Sequence, residues 1–472
     1  MHDKTAFAHL FPATTLREYD IRGIVGETLH TADAFAIGRT FGSIVARKGG
    51  SRVAVGRDGR LSSPEFSATL IEGLIASGMH VTDIGVGPTP MLYFAATTEA
   101  TDGAIMVTGS HNPANYNGFK MMMGRKPFFG DDIQTLGRLA AAGDVVAPAE
   151  GSVVTRDISA AYLARLLQDW DGGDRALNVV WDSGNGSAGD VLQRLVKALP
   201  GRHTVLNAEI DGRFPAHHPD PTVPKNLEQL VTAVRKQGAD IGIAFDGDAD
   251  RIGIVDDTGE ILFGDQFLIL LARDVLATHP GATIIADVKA SQVLFDQIEK
   301  AGGKPLMWKT GHSLIKSKMA ETGAPLAGEM SGHIFFADKW YGFDDALYAA
   351  IRVLNAVIHS GKSVSAFRKS LPQVLNTPEL RFDCEESRKF SVVAEVAERL
   401  RADGATVSQT DGVRVDTEDG WWLLRASNTQ AVLVARAEAA TPAGLARLKA
   451  TLASQLAASG LAPDFSGANA GH

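Results

Sequence analysis

The chain has 472 residues, of which 45% are hydrophobic and 21% are charged, as in an ordinary globular protein. This length exceeds what one hydrophobic core organises, so roughly three or four domains are expected. The net charge of −9 argues against a general surface for nucleic acid or an anionic membrane, and the single cysteine, Cys384, excludes an internal disulfide and a Cys-rich zinc site.

The first part of the chain alternates short apolar strands with amphipathic helices. Strands are expected at 52–56, 103–107, 177–181, 241–245 and 283–286. Helices are expected over about 65–77 and up to about residues 198 and 301. This alternation indicates α/β units with mostly parallel sheets and right-handed crossovers. Because the pattern restarts near residues 177 and 283, we predict three related α/β domains in series.

The pattern changes after about residue 372. Strands are expected at 379–383, 421–426 and 431–437, and helices at 389–402 and 442–457. Since few strand–helix–strand units remain, this part is predicted to be a smaller α+β domain.

Neither a secretory signal nor a membrane span is expected from the N-terminus and the apolar runs. The N-terminus has no basic region followed by a long apolar stretch, so no secretory signal is expected. The longest apolar stretch, at 267–271, is far too short to span a membrane. A cytoplasmic enzyme or binding protein is therefore expected, without a nucleic-acid or membrane partner.

The first candidate site is the segment TGSHNP at 108–113, which follows the apolar run 103–107. Ser110 is thereby placed at the carboxyl edge of a sheet, where open α/β folds have their active sites. Held by Gly and Pro beside a histidine, it is a candidate nucleophile. The alternative is an ordinary turn, because Ser, Asn, Gly and Pro are the usual turn residues.

The second is the segment DGDADR at 246–251, which also follows an apolar run. Asp246, Asp248 and Asp250 stand at alternate positions, so their carboxylates can converge on one hard cation. An EF-hand loop is excluded, because Arg251 occupies the position that requires glycine and the flanks are strands. A strand-end site with few protein ligands suits Mg²⁺ in phosphoryl chemistry. The alternative is a solvated acidic turn.

Two further loops carry polar groups. The segment GEMSGH at 328–333 combines the carboxylate of Glu329, the hydroxyl of Ser331 and the imidazole of His333, which can bind sugar hydroxyls and exchange protons. The segment RASNT at 425–429 offers a guanidinium, hydroxyls, an amide and backbone N–H groups for a phosphate. Each also has a turn or capping interpretation.

Together, TGSHNP, DGDADR, GEMSGH and RASNT occur in the order found in the α-D-phosphohexomutases, which this chain resembles along nearly its whole length. Within them it resembles the bacterial phosphomannomutase/phosphoglucomutase branch. Gln430 departs from the family pattern, which commonly has a second threonine there, and is expected to tune the rim of the phosphate loop. Met330 stands where glutamine would have indicated phosphoglucosamine mutase.

The resemblance implies three successive mixed-sheet α/β domains and a smaller C-terminal α+β domain around a central cleft, each contributing one loop. The expected domains are 1–156 with the phosphoserine loop, 157–259 with the metal-binding loop, 260–372 with the sugar-binding loop and 373–472 with the phosphate-binding loop.

The resemblance also implies roles for individual residues. Ser110 would carry the phosphoryl group and would bind Mg²⁺ together with Asp246, Asp248 and Asp250. The reacting end would be lined by Arg22, Lys120, Arg251, His312 and His333, with His333 preferred as the general acid/base. Substrate contacts are expected from Tyr19, Lys289, Glu329, Ser331, Arg425, Ser427, Asn428 and Thr429.

The activity implied is the reversible interconversion of hexose 1-phosphate and hexose 6-phosphate, for mannose and glucose, through phosphoserine and a hexose 1,6-bisphosphate intermediate that also acts as activator. The expected partners are small phosphosugars, and the chain is expected to be a monomer or weak dimer. Three alternatives stay open: a phosphoglucosamine mutase, a phosphatase-like hydrolase and a non-catalytic sugar-phosphate sensor.

Overall fold

The computed structural model describes residues 7–428, 430–462 and 465. Four β-sheets follow one another along this part of the chain. Among the described residues, no helix is both long and apolar enough to cross a membrane.

The first sheet has the strand order β1-β5-β4-β2-β3-β7, with β6 on β5. Its strands are β1 (Ile21–Ile24), β2 (Arg52–Arg57), β3 (His80–Val86), β4 (Gly103–Val107), β5 (Tyr116–Met123), β6 (Lys126–Phe128) and β7 (Ser152–Thr155). Its helices are α1 (Thr31–Arg47), α2 (Ser63–Ala76), α3 (Thr89–Thr98) and α4 (Asp131–Ala142).

The second sheet has the order β12-β11-β10-β8-β9 and is reached through helix α5 (Ser159–Gln168). Its elements are β8 (Leu177–Asp182), α6 (Gly189–Ala198), β9 (Gly201–Leu206), a short 3₁₀ helix (Pro224–Leu227), α7 (Glu228–Gln237), β10 (Ile241–Phe245), β11 (Ile252–Asp256) and β12 (Ile261–Leu262). The sheet thus extends just past residue 259. The domain boundaries stay predictions.

The third sheet has the order β14-β13-β15-β16. Its elements are α8 (Gly264–Thr278), β13 (Thr283–Asp287), α9 (Gln292–Lys300), β14 (Lys304–Trp308), α10 (His312–Thr322), β15 (Leu326–Gly328), β16 (Ile334–Phe336), α11 (Ala346–Ser360) and α12 (Val364–Lys369).

These three sheets share one arrangement. In each, a central strand has a parallel neighbour on both sides, and a fourth strand is antiparallel to one of them: β5-β4-β2-β3, β11-β10-β8-β9 and β16-β15-β13-β14. The expectation of mixed α/β sheets is confirmed. The loops after β4, β10 and β15 consequently occupy the same position in each sheet, and these loops carry TGSHNP, DGDADR and GEMSGH.

The inner strands form because their residues are apolar on both faces. In β10, all five residues of the run IGIAF are buried, as expected for a strand covered by helices on both sides. Helix boundaries follow local chemistry. The Ser291 hydroxyl accepts a hydrogen bond from the Val293 N–H to begin α9, and Gly323 and Gly361 end α10 and α11 in the left-handed conformation.

The fourth sheet is antiparallel, with the order β17-β22-β21-β20-β19 and β18 also on β22. Its elements are β17 (Leu375–Asn376), β18 (Leu380–Asp383), α13 (Lys389–Ala402), β19 (Val407–Ser408), β20 (Val413–Thr417), β21 (Gly420–Ala426), β22 (Val432–Ala439) and α14 (Pro442–Ala458). The expected α+β character of this region is confirmed.

The first three sheets are joined by one continuous core that includes α3, α5 and α11. Within it, Trp340 stacks on Tyr348 at 4.1 Å, and the Tyr162 hydroxyl donates to Asp345 at 2.8 Å. The fourth sheet has its own core and contacts the third sheet through Trp421, which packs on Val288. This packing holds the four sheets and their helices around one cavity.

Candidate active site

The loops after β4, β10 and β15 contact one another through their backbones. A Cβ on Gly247 would lie 2.4 Å from the Ser110 carbonyl oxygen, so a side chain there would push the first two loops apart. The Ile252 N–H donates to the Gly332 carbonyl at 3.0 Å, and a Cβ on Gly332 would lie 2.4 Å from the Ile252 oxygen. Glycine is therefore needed in both loops for the three loops to meet.

Ser110 is buried and has a positive φ of 49°. Its Oγ donates to Asp246 Oδ2 at 3.0 Å and lies 3.1 Å from His111 Nδ1. Burial, and then the charges of Arg251 and Arg22, lower the pKa of His111, so a neutral imidazole faces the hydroxyl. Ser110 is thus held directly beside the acidic loop of the second sheet.

Two residues that hold this loop, Arg60 and Asp58, were not identified by the sequence analysis. Arg60 is fully buried, and its Nη2 donates to the carbonyl oxygens of Ser110 at 2.7 Å and Asn112 at 2.6 Å, while Nη1 donates to those of Pro113 at 2.5 Å and Tyr116 at 3.0 Å. One guanidinium therefore binds four carbonyl groups of the Ser110 loop.

Asp58 completes this support. It accepts a hydrogen bond from Arg60 Nε at 3.1 Å, from the Thr108 hydroxyl at 2.8 Å and from the Gly109 N–H at 3.1 Å. A Cβ on Gly109 would lie 2.4 Å from Arg60 Cζ, which explains the glycine at this position. The Asp58–Arg60 pair fixes the positive φ of Ser110, which costs an L-residue about 1–2 kcal/mol.

The three carboxylates of the second loop are fully buried, and one oxygen from each lies within 4.8 Å of the others. Asp248 Oδ1 accepts no hydrogen bond from any residue that the structure describes. Burial, and then repulsion by Asp250 and Asp248, raise the pKa of Asp246. Such repulsion is costly unless a cation offsets it, so this triad can hold a metal ion.

Lys120 lies against the same carboxylates. Its Nζ donates to Asp248 Oδ2 at 2.7 Å and also to Asp250 Oδ2. Burial disfavours the ammonium, but these two carboxylates outweigh it and raise the pKa of Lys120. The ammonium therefore stays charged in the site.

His333 links the second and third loops. Its Nδ1 lies 2.7 Å from Glu329 Oε2 and 3.1 Å from Ser331 Oγ, and its Nε2 lies 3.3 Å from both Asp250 Oδ1 and Arg251 Nε. Burial opposes protonation, but Asp250 and Glu329 raise the pKa of His333 to about 9. An imidazolium that can donate a proton therefore stands at the junction.

Glu329 and His312 lie next to His333. The Gly311 N–H donates to Glu329 Oε1 at 2.6 Å. Burial would raise the pKa of Glu329, but His333 outweighs it and lowers that pKa to about 2, so the carboxylate is ionised. The rings of His312 and His333 lie 5.6 Å apart.

Tyr19, which precedes β1, connects the first sheet to loops of the third and fourth sheets. Its hydroxyl donates to the Thr310 carbonyl at 2.8 Å and accepts from Asn428 Nδ2 at 2.6 Å. Burial raises the pKa of Tyr19, so the hydroxyl keeps its proton. Nearby, Arg22 donates to Asp20 and to Asn112 of the Ser110 loop.

The RASNT loop begins at the end of β21. Arg425 Nε donates to Asp411 Oδ2 at 3.0 Å, and the same oxygen accepts from the Thr310 N–H at 3.0 Å. Asp411 therefore joins the fourth sheet to the third beside the loop. The predicted ligand Thr429 lies outside the described residues.

A cavity of about 800 Å³ lies between the four sheets. The predicted site residues that line it are Tyr19, Arg22, Arg251, Lys289, His312, Glu329, Ser331, His333, Arg425, Ser427 and Asn428. Ser110, Lys120 and the three aspartates are buried beside it and contact one another. All predicted site residues that the structure describes are therefore brought to one place.

The sequence interpretation missed several lining residues, among them His218, Asp220, Glu379 and Arg381. The cluster HHPDP at 217–221 is rich in turn and titratable residues and could have drawn attention to the first two. The other two stand at the start of a strand with no distinctive local pattern.

Comparison with known protein families gives one family for all four parts of the chain. The family models of the phosphoglucomutase/phosphomannomutase alpha/beta/alpha domains I, II and III match residues 13–143, 160–259 and 263–375, and that of the C-terminal domain matches 379–455.

Similar proteins include a phosphomannomutase/phosphoglucomutase of Pseudomonas putida, 46% identical over 95% of this chain and 97% of the relative. A phosphoglucomutase of Neisseria gonorrhoeae is 46% identical over 92% of this chain and 94% of the relative. The crystal structure of a phosphoglucomutase/phosphomannomutase family protein from Burkholderia thailandensis superimposes with a TM-score of 0.90 at 43% identity, covering 98% of this chain and 100% of the other.

Proposed function

The chain belongs to the phosphoglucomutase/phosphomannomutase family, and from this premise we propose that it interconverts hexose 1-phosphates and hexose 6-phosphates through a phosphoserine at Ser110. It is a hexose-phosphate mutase. The proposed role of Ser110 rests on one observation. Its Oγ donates a hydrogen bond to Asp246 at 3.0 Å, beside the cavity. We also propose that it acts in the cytoplasm as a monomer or weak dimer.

The first half of the cycle transfers a phosphoryl group from phospho-Ser110 to the 6-hydroxyl of a hexose 1-phosphate. The bond between phosphorus and Ser110 Oγ breaks, a bond between phosphorus and O6 forms, and the hydroxyl proton leaves to a base. The product is a hexose 1,6-bisphosphate. After this intermediate turns around, the bond between phosphorus and O1 breaks and a bond between phosphorus and Ser110 Oγ forms. The Ser110 hydroxyl loses its proton, O1 takes up a proton, and hexose 6-phosphate is released.

The acidic triad fits Mg²⁺, because it supplies three convergent carboxylates and a buried oxygen of Asp248 without a hydrogen-bond partner among the described residues. Asp246, Asp248 and Asp250 would hold the ion, together with an oxygen of phospho-Ser110. A bound Mg²⁺ supplies charge that stabilises the transferring phosphoryl group. Lys120 and Arg251 add fixed positive charge at the same place.

The other groups are assigned by position. His333 gives its proton to the sugar oxygen that loses the phosphoryl group in the second transfer, and the neutral ring then takes the proton of the 6-hydroxyl in the first transfer of the next cycle. Glu329 orients the ring through Nδ1. Glu329 and Ser331 face the cavity and bind the 3- and 4-hydroxyls of the sugar. Arg425, Ser427, Asn428 and Thr429 hold the phosphate that does not react.

Recognition through the 3- and 4-hydroxyls leaves the configuration at C2 poorly discriminated. We therefore expect glucose 1-phosphate and mannose 1-phosphate to have kcat/KM values within about 100-fold of each other. Steady-state kinetics with both sugars measures this ratio, and a larger gap would contradict the assignment of Glu329 and Ser331. The same assay with glucosamine 1-phosphate tests the phosphoglucosamine alternative.

The phosphoenzyme is tested by intact-mass analysis and peptide mapping. We expect one phosphoryl group on Ser110, which is lost when the protein reacts with excess substrate. Free phosphate released at the rate of substrate turnover would instead indicate a phosphatase, because a mutase must exclude water while the intermediate turns.

Arg60 provides a further prediction. Arg60→Met is expected to lower kcat by on the order of a hundredfold, because a displacement of about 1 Å at the reacting group can cost this much. It also leaves the buried carboxylate of Asp58 without its counter-charge, which costs about 3 kcal/mol in the free energy of unfolding. Enzyme kinetics and urea unfolding measure the two effects.

The matched control is Arg57→Met. Arg57 is partly exposed, and its guanidinium contacts Asp83 at 3.4 Å and not the Ser110 loop. We expect this variant to stay near wild type, and equal losses in the two variants would show that Arg60 has no special relation to Ser110.

A further inference from the structure

Two arginines of the fourth sheet lie opposite the same residue. In the register of the sheet, Arg425 of β21 and Arg381 of β18 both pair with Val434 of β22, one on each side. Directly opposite residues on adjacent antiparallel strands point to the same face. Both arginines accordingly line the cavity.

Glu379 lies between these arginines and a lysine of the third sheet. Its Oε1 accepts from Arg381 Nη2 at 2.6 Å, and its Oε2 accepts from Lys289 Nζ at 3.2 Å. Its side chain is 15% exposed, and burial would raise its pKa, but Lys289 and Arg381 outweigh burial and lower the pKa of Glu379 to about 2. Glu379 is thus an ionised carboxylate that faces the cavity.

The contacts continue to the RASNT loop. Arg381 also donates to Gln430 Oε1, and the Gln430 N–H donates to Ser427 Oγ at 3.1 Å. Glu379 is therefore tied, through Arg381 and Gln430, to the loop assigned to the non-reacting phosphate. Gln430, the departure from the family pattern, is the residue that makes this connection.

A carboxylate in this position opposes a phosphate. Lys289, Arg381 and Arg425 are among the cations that line the cavity, and a phosphate dianion beside Glu379 would have to share them with its carboxylate. Two anions that compete for the same cations weaken each other's binding. Among the described residues, the carboxylate of Glu379 accepts hydrogen bonds from Lys289 and Arg381, the two cations that a phosphate here would need.

We propose that Glu379 competes with the non-reacting phosphate for Lys289 and Arg381, and so weakens the hold of the RASNT loop enough for the bisphosphate intermediate to leave it and turn around. This rests on the proposed function, since only a mutase must exchange its two phosphates at one loop within each cycle. Glu379 touches no reacting atom and acts on the lifetime of the bound intermediate. Binding that is too tight in the ground state lowers turnover.

The test is Glu379→Gln, which removes the charge and nearly keeps the shape. With inorganic phosphate as the probe in isothermal titration calorimetry, we expect binding about tenfold tighter than in the wild type, from the loss of one like charge at close range. KM for hexose 1-phosphate and kcat are both expected to fall. Phosphate binding that is unchanged or weaker would overturn the proposal, because it would mean that Glu379 only positions Lys289.

Two further variants show whether the gain in phosphate affinity comes from the lost charge and whether it arises at the RASNT loop. Glu379→Asp keeps the charge, so its phosphate affinity should stay closer to the wild type than to Glu379→Gln, and affinity equal to Glu379→Gln would overturn the competition. Adding Arg425→Met to Glu379→Gln should remove the gained affinity, and a gain that persists would place it outside the loop and also overturn the proposal.

The control is Glu386→Gln, because Glu386 carries the same charge in the turn after β18, but its side chain is 68% exposed and contacts Lys389. Its phosphate affinity should equal that of the wild type, and tighter binding here would overturn a local competition. Mutase activity of the wild type distinguishes a failure of the proposed function from a failure of the proposed role of Glu379. Absence of mutase activity in it rejects the proposed function, whereas an active wild type with unchanged affinity in Glu379→Gln rejects only the role of Glu379.

Discussion

Ser110→Ala is expected to abolish mutase activity, with kcat at least on the order of 10⁴-fold below that of the wild type, as for other enzymes that lose a covalent nucleophile. The physical reason is that, within the described part of the chain, Ser110 supplies the one hydroxyl that donates to the Asp246 carboxylate, at 3.0 Å. The variant should also carry no phosphoryl group in its intact mass. Coupled assays of hexose 6-phosphate formation and mass spectrometry measure both effects.

The matched control for this variant is Ser183→Ala. Ser183 likewise follows an inner strand of a mixed sheet, and its buried Oγ has no hydrogen-bond partner among the residues that the structure describes. Its replacement should leave kcat and the phosphoryl content unchanged. If Ser110→Ala retains both activity and the phosphoryl group, the phosphoryl carrier is a different residue.

Asp248→Asn is expected to cause the second large loss. The change removes one negative charge from the triad, at the residue whose Oδ2 accepts hydrogen bonds from the Thr89 hydroxyl and from Lys120 Nζ. Because a metal ion supplies several kcal/mol of charge stabilisation in phosphoryl transfer, we expect kcat to fall by on the order of a thousandfold. The affinity for Mg²⁺, measured by titration calorimetry, should fall by about tenfold or more.

Asp240→Asn is the control for the triad. Asp240 precedes β10 at the opposite end from Asp246, is exposed, and accepts a hydrogen bond from the Asn178 N–H at 2.7 Å. Normal Mg²⁺ affinity and activity are expected in this variant. Wild-type affinity for Mg²⁺ in Asp248→Asn would mean that the ion binds elsewhere.

Much of the fold follows from local sequence patterns. The apolar run at 241–245 predicts strand β10 at the residues where the structure has it, because a strand buried on both faces is a continuous run of apolar residues. The helices at Lys389–Ala402 and Pro442–Ala458 were similarly evident from their periodicity. Edge strands such as β7, whose residues are all exposed, carry no such signal and were missed.

The functional loops were readable because each is a contiguous motif. Each functional residue lies inside its motif: Ser110 in TGSHNP, the three aspartates in DGDADR, Glu329 in GEMSGH and Arg425 in RASNT. The groups that support them are not contiguous with them. Arg60 lies far along the chain from the carbonyl groups that it binds, and Glu379 meets Lys289 only where the third and fourth sheets face each other.

The sequence by itself determined the four-part α/β organisation, the four loops and the chemistry that each can perform, because apolar periodicity and motif residues are properties of neighbouring positions. The tertiary structure decided how these parts act together. It placed the loops after β4, β10 and β15 in backbone contact through Gly247 and Gly332, and it set Glu379 against Lys289. Such contacts depend on sheet register and on the packing of one sheet against another, which no local pattern encodes.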